Sequence, residues 1–280
     1  MLALVTILVW GTTFASTKVL LTHGLTPPEI MFYRFIIAYA LTWICSRKVL
    51  ADTWVDEALL AIAGFTGGTL YFLSENTAID YTITSNVALV VCVTPVLTAL
   101  LTSAIYRERI TGRLVIGSVV ALLGVGLVVL NGTVLKIHPL GDALALGAAL
   151  AWAVYSVVVR RFDGRYTTWF VTRKVFFYGI ATLTPFILGE MGGGLHLDKL
   201  TIPTVAGNIL FLSVVASMLC FYTWNLVLEN LGTIRASNYM YTQPLVSLAC
   251  SAWVLSEPIT PIALLGTAFI LVGIYMTQRK

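Results

Sequence analysis

The chain has 280 residues, 58% hydrophobic and 11% charged, with 17 Lys and Arg against 13 Asp and Glu; its mean hydropathy is +0.91. Soluble domains carry about a quarter charged residues, so a water-exposed globule is excluded. The few charges fall between long apolar runs, the pattern of a multi-spanning helical membrane protein.

In chain order, these runs predict ten helices at about residues 2–22, 29–46, 57–79, 82–104, 113–130, 140–161, 169–189, 203–229, 233–256 and 261–277, each near the roughly 20 residues a bilayer needs. The first run starts at once and lacks a small-residue cleavage site, so no cleaved leader is expected. Thr26-Pro27-Pro28-Glu29 suits a helix start, with proline in the first turn and an acid at the positive end of the dipole. Asn131-Gly132 and the run from His138 to Asp142 punctuate the middle. No linker is long enough to hold a soluble domain; the longest, near 190–202, contains Gly192-Gly193-Gly194. Cys45, Cys92, Cys220 and Cys250 all lie inside apolar runs and read as packing residues, with no disulfide or zinc spacing.

The chain also repeats itself. Thr94-Pro95, Glu108, Thr111, Gly117 and Gly124 recur as Gln243-Pro244, Glu257, Thr260, Gly266 and Gly273, always 149 residues on (244 − 95, 257 − 108, 273 − 124). The same offset pairs Phe72 with Phe221 and Asn76 with Asn225, while Trp10 and Lys18 pair with Trp152 and Arg160 at 142. A duplication at fixed period sets the architecture: two repeats, 1–138 and 139–280, of five helices each. An odd number of spans turns the second repeat upside down, the arrangement of secondary transporters that alternate access about a midplane site.

Charge supplies the orientation. Arg47, Lys48, Arg107, Arg109, Arg113, Arg160, Arg161, Arg165, Arg235, Arg279 and Lys280 fall on the side of both termini, against Lys18, Lys136 and Lys199 opposite. Lys and Arg gather on the cytoplasmic side, so both termini are expected there.

These residues resemble the drug/metabolite transporter superfamily, in particular its ten-helix EamA-type members. The resemblance lies in Trp10-Gly11-Thr12-Thr13-Phe14, Pro28 with Arg34-Phe35, and Pro95 with Glu108-Arg109-Ile110-Thr111 and Gly117. It continues in Gly141-Asp142-Ala143-Leu144-Ala145 with Trp152-Ala153, then Pro244 with Glu257-Pro258-Ile259-Thr260 and Gly266. It spans essentially the whole chain and implies an exporter of amino acids or other metabolites in the inner membrane, similar to the YddG-like amino-acid exporters. Fold alone does not settle substrate.

Counting from the helix ends places Trp10, Thr13, Thr17, Tyr71, Thr94, Trp152, Tyr155, Tyr239 and Gln243 near mid-membrane. Trp10, Thr13 and Thr17, and likewise Trp152 and Tyr155, or Tyr239 and Gln243, share helix faces at spacings of three or four. Polar groups in hydrocarbon require a partner or a watery cavity, so the set reads either as a substrate cavity or as interhelical hydrogen bonding. Pro95 and Pro244 read as paired kinks or hinges, each freeing a carbonyl one turn back, at Val91 and Met240.

No ionisable group is expected at central depth in helices 1, 4, 6 or 9. A phosphorylated sugar calls for a basic pair, whereas a zwitterion needs only dipoles, with aromatics to stack on a ring or an ammonium. Glu75, about one turn from the outer end of helix 3, reads as a proton or ammonium site or as an interfacial partner of Arg34 or Lys18. Arg173 and Lys174 are expected to snorkel, and Gly64, Gly67 and Gly68 to permit close helix packing. His23, His138 and His196 are scattered over outer loops, which argues against a membrane-embedded enzyme. Midplane prolines in an inverted repeat favour alternating access over a pore. The expected partners are an amino acid and the lipid bilayer, with no cofactor, no metal and no nucleic acid, and one chain suffices for the transport path.

Overall fold

In the computed structural model the described residues are 1–82, 84–129, 138–190, 195–246, 249 and 260–278, and they contain helices and no strand. The helices are α1 (Leu2–Thr22), α2 (Pro27–Cys45), α3 (Trp54–Tyr81), α4 (Thr84–Val91 continuing as Thr94–Tyr106), α5 (Gly112–Val129), α6 (Pro139–Phe162), α7 (Thr168–Glu190) and α8 (Pro203–Leu231). α9 starts as Thr233–Asn238, tightens to a 3₁₀ turn over Tyr239–Thr242 and is helical again over 243–246; α10 is Pro261–Gln278. Predicted ends within the described residues differ by three residues or fewer. α1, α2, α3, α6, α8 and residues Val87–Tyr106 of α4 are long and apolar enough to cross a bilayer, so this is an all-α, multi-pass membrane protein.

Local chemistry sets the helix starts. Thr26 and Glu29 form a reciprocal capping box with Pro27 in the first turn of α2, which satisfies two backbone donors that the helix leaves open. Thr53 Oγ1 accepts the amide of Asp56 at the head of α3. Both predicted proline kinks coincide with breaks: α4 is interrupted at 92–93, just before Pro95, and α9 tightens just before Pro244. Proline supplies no N–H to the preceding turn and crowds its carbonyl. Two wider breaks had no sequence signal. α3 is π-helical over Phe65–Leu70 and α8 over Phe211–Leu219, and 214–219 corresponds to 65–70 at the 149-residue offset. Such turns often mark functional sites.

Packing relates the two halves directly. A methyl on Gly273 would lie 2.5 Å from the carbonyl oxygen of Gly117, and one on Gly124 2.6 Å from that of Gly266. Each glycine therefore meets the counterpart of the other, which places α5 and α10 antiparallel about a local two-fold with their backbones touching. Counterpart rings also touch each other: Trp10 and Trp152 at 5.2 Å, Phe72 and Phe221 at 6.1 Å. The two-fold therefore passes through the aromatic core. In α3, a methyl on Gly67 would collide with the Tyr155 ring and one on Gly64 with Tyr178, the close packing the sequence suggested.

Arg173 and Lys174 do not snorkel; both are buried. Lys174 meets Glu57 and the carbonyl of Val49, and Arg173 donates to the carbonyl of Ser46 while its guanidinium sits 4.2 Å over Trp43. Glu57 also takes the Tyr178 hydroxyl and the Ala51 amide. Carbonyls of the 46–53 loop and one carboxylate satisfy these charges inside the protein, which removes the reason to reach for water. Arg165 grips both oxygens of Asp56 at 2.9 and 2.7 Å on the same face. At the opposite face Glu29 accepts the His196 amide at 2.8 Å, joining the head of α2 to the α7–α8 loop.

Candidate functional site

α1, α2, α3, α6 and α9 converge on a small cavity lined by Trp10, Thr13, Arg34, Tyr71, Phe72, Glu75, Trp152, Met240 and Gln243. Its volume is about 20 Å³, room for roughly one water. The helices leave little room at the site, and a larger guest requires them to part.

The lining has two charged ends. Arg34 is 3% exposed, its Nε donates to Ser217 Oγ, and its guanidinium carbon lies 4.2 Å above the Phe72 ring. Ser217 belongs to the π-helical stretch of α8. Glu75 is 7% exposed and, among the described residues, accepts one hydrogen bond, from the Tyr71 hydroxyl at 2.6 Å. Neither takes part in an ion pair among the described residues. Arg34 stands eight positions into a 19-residue helix, about 10 Å from its first residue at 1.5 Å per residue. Of the two readings of Glu75, a proton or ammonium site or an interfacial partner of Arg34 or Lys18, the structure shows no ion pair with either base among the described residues and places Glu75 and Arg34 on one cavity.

Aromatic groups fill the rest of the wall. Trp152 packs on Trp10 at 5.2 Å, on Tyr71 at 4.8 Å and on Tyr155 at 4.9 Å. Trp10 Nε1 donates to the carbonyl of Ala216 at 2.9 Å. Trp152 Nε1 is buried with no hydrogen-bond partner among the described residues, an open donor where such groups are normally satisfied. A guanidinium and a carboxylate on one small cavity, with ring faces between them, can hold the two ends of a small dipolar molecule.

Of the residues the sequence singled out, Trp10, Thr13, Tyr71, Glu75, Trp152 and Gln243 line this cavity. Thr17, Thr94, Tyr155 and Tyr239 do not. Tyr155 is committed to Asn225 at 2.6 Å, which in turn donates to Thr172. Thr94 Oγ1 donates to the carbonyl of Val91 at 2.6 Å, so that carbonyl is already occupied by its own chain. Tyr239 is half-buried in the 3₁₀ turn and Thr17 is buried in α1. The sequence reading missed Arg34 and Phe72 as lining, and of Met240 it had noted only the backbone carbonyl freed by Pro244. Arg34 carried a signal, a lone charge in the middle of an apolar helix; Phe72 carried the repeat offset. Glu108 pairs with Arg160 at 2.6 Å; its counterpart Glu257, with Pro258 and Ile259, lies outside the described residues.

Comparison with known proteins gives one consistent answer. The chain is 28% identical to an uncharacterized transporter of Archaeoglobus fulgidus over 98% of this chain and 96% of that one. It is 27% identical to a probable amino-acid metabolite efflux pump of Escherichia coli over 98% and 93% of the two chains. A probable terminal-alkyne amino-acid exporter of Streptantibioticus cattleyicolor is 24% identical over 98% and 91%. A solved crystal structure, 21% identical, matches the fold with a TM-score of 0.74 over 98% of this chain and 94% of that one. The model of the EamA-like transporter family matches twice, at residues 1–130 and 139–279. Matched over nearly its whole length, the chain belongs to the EamA-like transporter family.

Proposed function

We propose that this protein is a secondary transporter that exports amino acids, aromatic or otherwise apolar ones included, across the inner (plasma) membrane by alternating access. The observation that carries the reading is the pair Arg34 and Glu75 on one small cavity, each without an ion-pair partner among the described residues. An amino acid brings the two missing charges, its carboxylate for Arg34 and its ammonium for Glu75, and lays its side chain against Trp10, Trp152 and Phe72. A phosphorylated sugar fits poorly, because it would meet a single base and a repelling acid. The names of two relatives, an amino-acid metabolite efflux pump and an amino-acid exporter, agree with this substrate class.

The working architecture is ten crossings in two inverted halves, 1–138 and 139–280, with both termini cytoplasmic and Pro95 and Pro244 as paired hinges. The glycine-to-glycine contact of α5 with α10 supports the inversion. An inverted pair offers two similar conformations open to opposite sides.

Flux of labelled amino acids through proteoliposomes tests the function; saturable movement of L-phenylalanine or L-leucine is expected, and its absence with every amino acid tried contradicts the reading. Gln243→Ala is expected to lower kcat/KM about tenfold with normal insertion, the worth of one polar contact to a charged group. Trp152→Ala is expected to impair aromatic substrates more than aliphatic ones. Equal flux of both classes through both variants would move the site elsewhere. For orientation, a cysteine at Lys199 is expected to react with an impermeant thiol reagent from outside, and one at Arg109 only after the membrane is opened; the reverse pattern would invert the topology.

A further inference from the structure

Resting on the zwitterion reading of the cavity, we infer that Glu75 is the coupling group of transport: its carboxylate takes either a proton or the substrate's ammonium, so that one proton enters for each amino acid that leaves.

The first support is a contrast within the molecule. Four acids are buried among the described residues: Glu29, Asp56, Glu57 and Glu75. Glu29 accepts the amides of Thr26 and His196 and contacts the His196 ring. Asp56 holds a bidentate Arg165 and the Tyr166 hydroxyl. Glu57 holds Lys174, Tyr178 and the Ala51 amide. Glu75 has the Tyr71 hydroxyl. Three carboxylates are thus fixed parts of the architecture, and the fourth, which lines the cavity, is left with one neutral donor.

The second support is what faces it. On its own helix the titratable neighbour is Tyr71. α2 presents Arg34, whose positive charge acts on Glu75 across the cavity without reaching ion-pair distance while its guanidinium is engaged by Ser217 and the Phe72 ring. α4 contributes Cys92 and α8 contributes Cys220, both thiols in apolar surroundings. Lys18 of α1 is turned to the carbonyl of Ile79 at 3.4 Å. α6 and α9 offer Trp152, Met240 and Gln243, none of which titrates. No neighbour among these forms an ion pair with Glu75. A carboxylate out of water with one neutral hydrogen-bond donor, and with Arg34 acting on it only from beyond ion-pair distance, is disfavoured relative to its protonated form. In the empty carrier its partner is a proton; in the loaded carrier it is the ammonium, and the proton must leave first. In the empty carrier the cavity has room for roughly one water, so little solvent is there to stabilise an ionised Glu75.

Charge balances over the cycle. On the outward leg the amino acid is a net-neutral zwitterion and Glu75 is ionised. On the return leg Glu75 carries a proton and is neutral. Arg34 stays charged throughout. Each turnover therefore moves one amino acid out, one proton in and one positive charge in, so the exchange responds to the pH gradient and to the membrane potential alike. Binding and deprotonation are linked reciprocally.

The test uses the full chain in proteoliposomes loaded with labelled L-phenylalanine or L-leucine and an internal pH dye. External acid should accelerate efflux of the wild type, with the lumen acidifying by about one proton per amino acid released, as reciprocal linkage requires. Glu75→Gln should lower flux about tenfold or more and leave the residue indifferent to the gradient. Glu75→Asp should retain the gradient response at reduced rate, which separates coupling from packing. Wild-type efflux without lumen acidification, or gradient-driven flux that survives in Glu75→Gln, would overturn the coupling role while leaving the zwitterion site intact. A wild type that moves neither probe would overturn the zwitterion reading and this inference with it.

Discussion

Arg34→Met is expected to abolish most export while leaving the protein as stable as before or more so. The guanidinium is buried, has no acid partner among the described residues and gains only Ser217 and a ring face. Holding a bare charge there costs folding free energy, and an apolar side chain of similar length removes that cost. Function loses the charge-assisted contact with the substrate carboxylate, worth about 3 kcal/mol, or roughly two orders of magnitude in kcat/KM. Arg34→Lys keeps the charge but not the planar fork or its stack on Phe72, so partial activity is expected. The readouts are flux in proteoliposomes and melting temperature in detergent. A variant that transports normally, or one that fails only because it unfolds, would remove Arg34 from the site.

The second large effect concerns the contact between halves. Gly273→Leu is expected to prevent recovery of a monodisperse, folded protein. A methyl group alone would stand 2.5 Å from the Gly117 carbonyl and 2.6 Å from the Ala121 amide. Both obstacles are backbone, so no rotamer change relieves them, and the helices must separate. Overpacking of even small groups costs about 1–3 kcal/mol, and leucine adds three further carbons on the same approach line. The local two-fold makes a second demand: Gly124→Leu, facing Gly266 and Ile270 in the equivalent place, should be equally damaging. Gly126→Leu is the control. It lies on the same helix with nothing within 4 Å of the added carbon, and it should fold normally. Wild-type melting of Gly273→Leu would show that α5 and α10 do not meet as described.

Much of this fold was legible in the sequence, because bilayer thickness and helix capping act on short stretches. The run from Thr26 to Glu29 states where α2 begins, and Pro95 and Pro244 state where α4 and α9 break. The 149-residue offset announces the two-fold that puts Phe72 on Phe221. The site was only half legible. Depth along one helix is countable, and that found Trp10, Tyr71, Trp152 and Gln243. Which face of α2 turns inward depends on its neighbours, and that hid Arg34. Glu75 was recognised as a special residue but set too near the surface, since helix-end counting ignores how α1, α6 and α9 cover it. Thr94 and Tyr155 were chosen for their polarity and turned out to satisfy Val91 and Asn225. The π-helical stretches of α3 and α8 arise from packing and left no residue pattern to read.

The central claim is that one cavity holds an amino acid by both ends. It is tested most directly by comparing labelled L-phenylalanine with its methyl ester and with 3-phenylpropionate, as substrates and as competitors, in proteoliposomes of the wild type. The ester lacks the carboxylate that Arg34 would hold, and the propionate lacks the ammonium that Glu75 would hold. Saturable transport of the zwitterion is expected, with each analogue competing at least tenfold more weakly, as loss of one charged contact implies. Equal competition by either analogue would contradict the account, because the charged group at that end of the cavity would then contribute nothing to recognition.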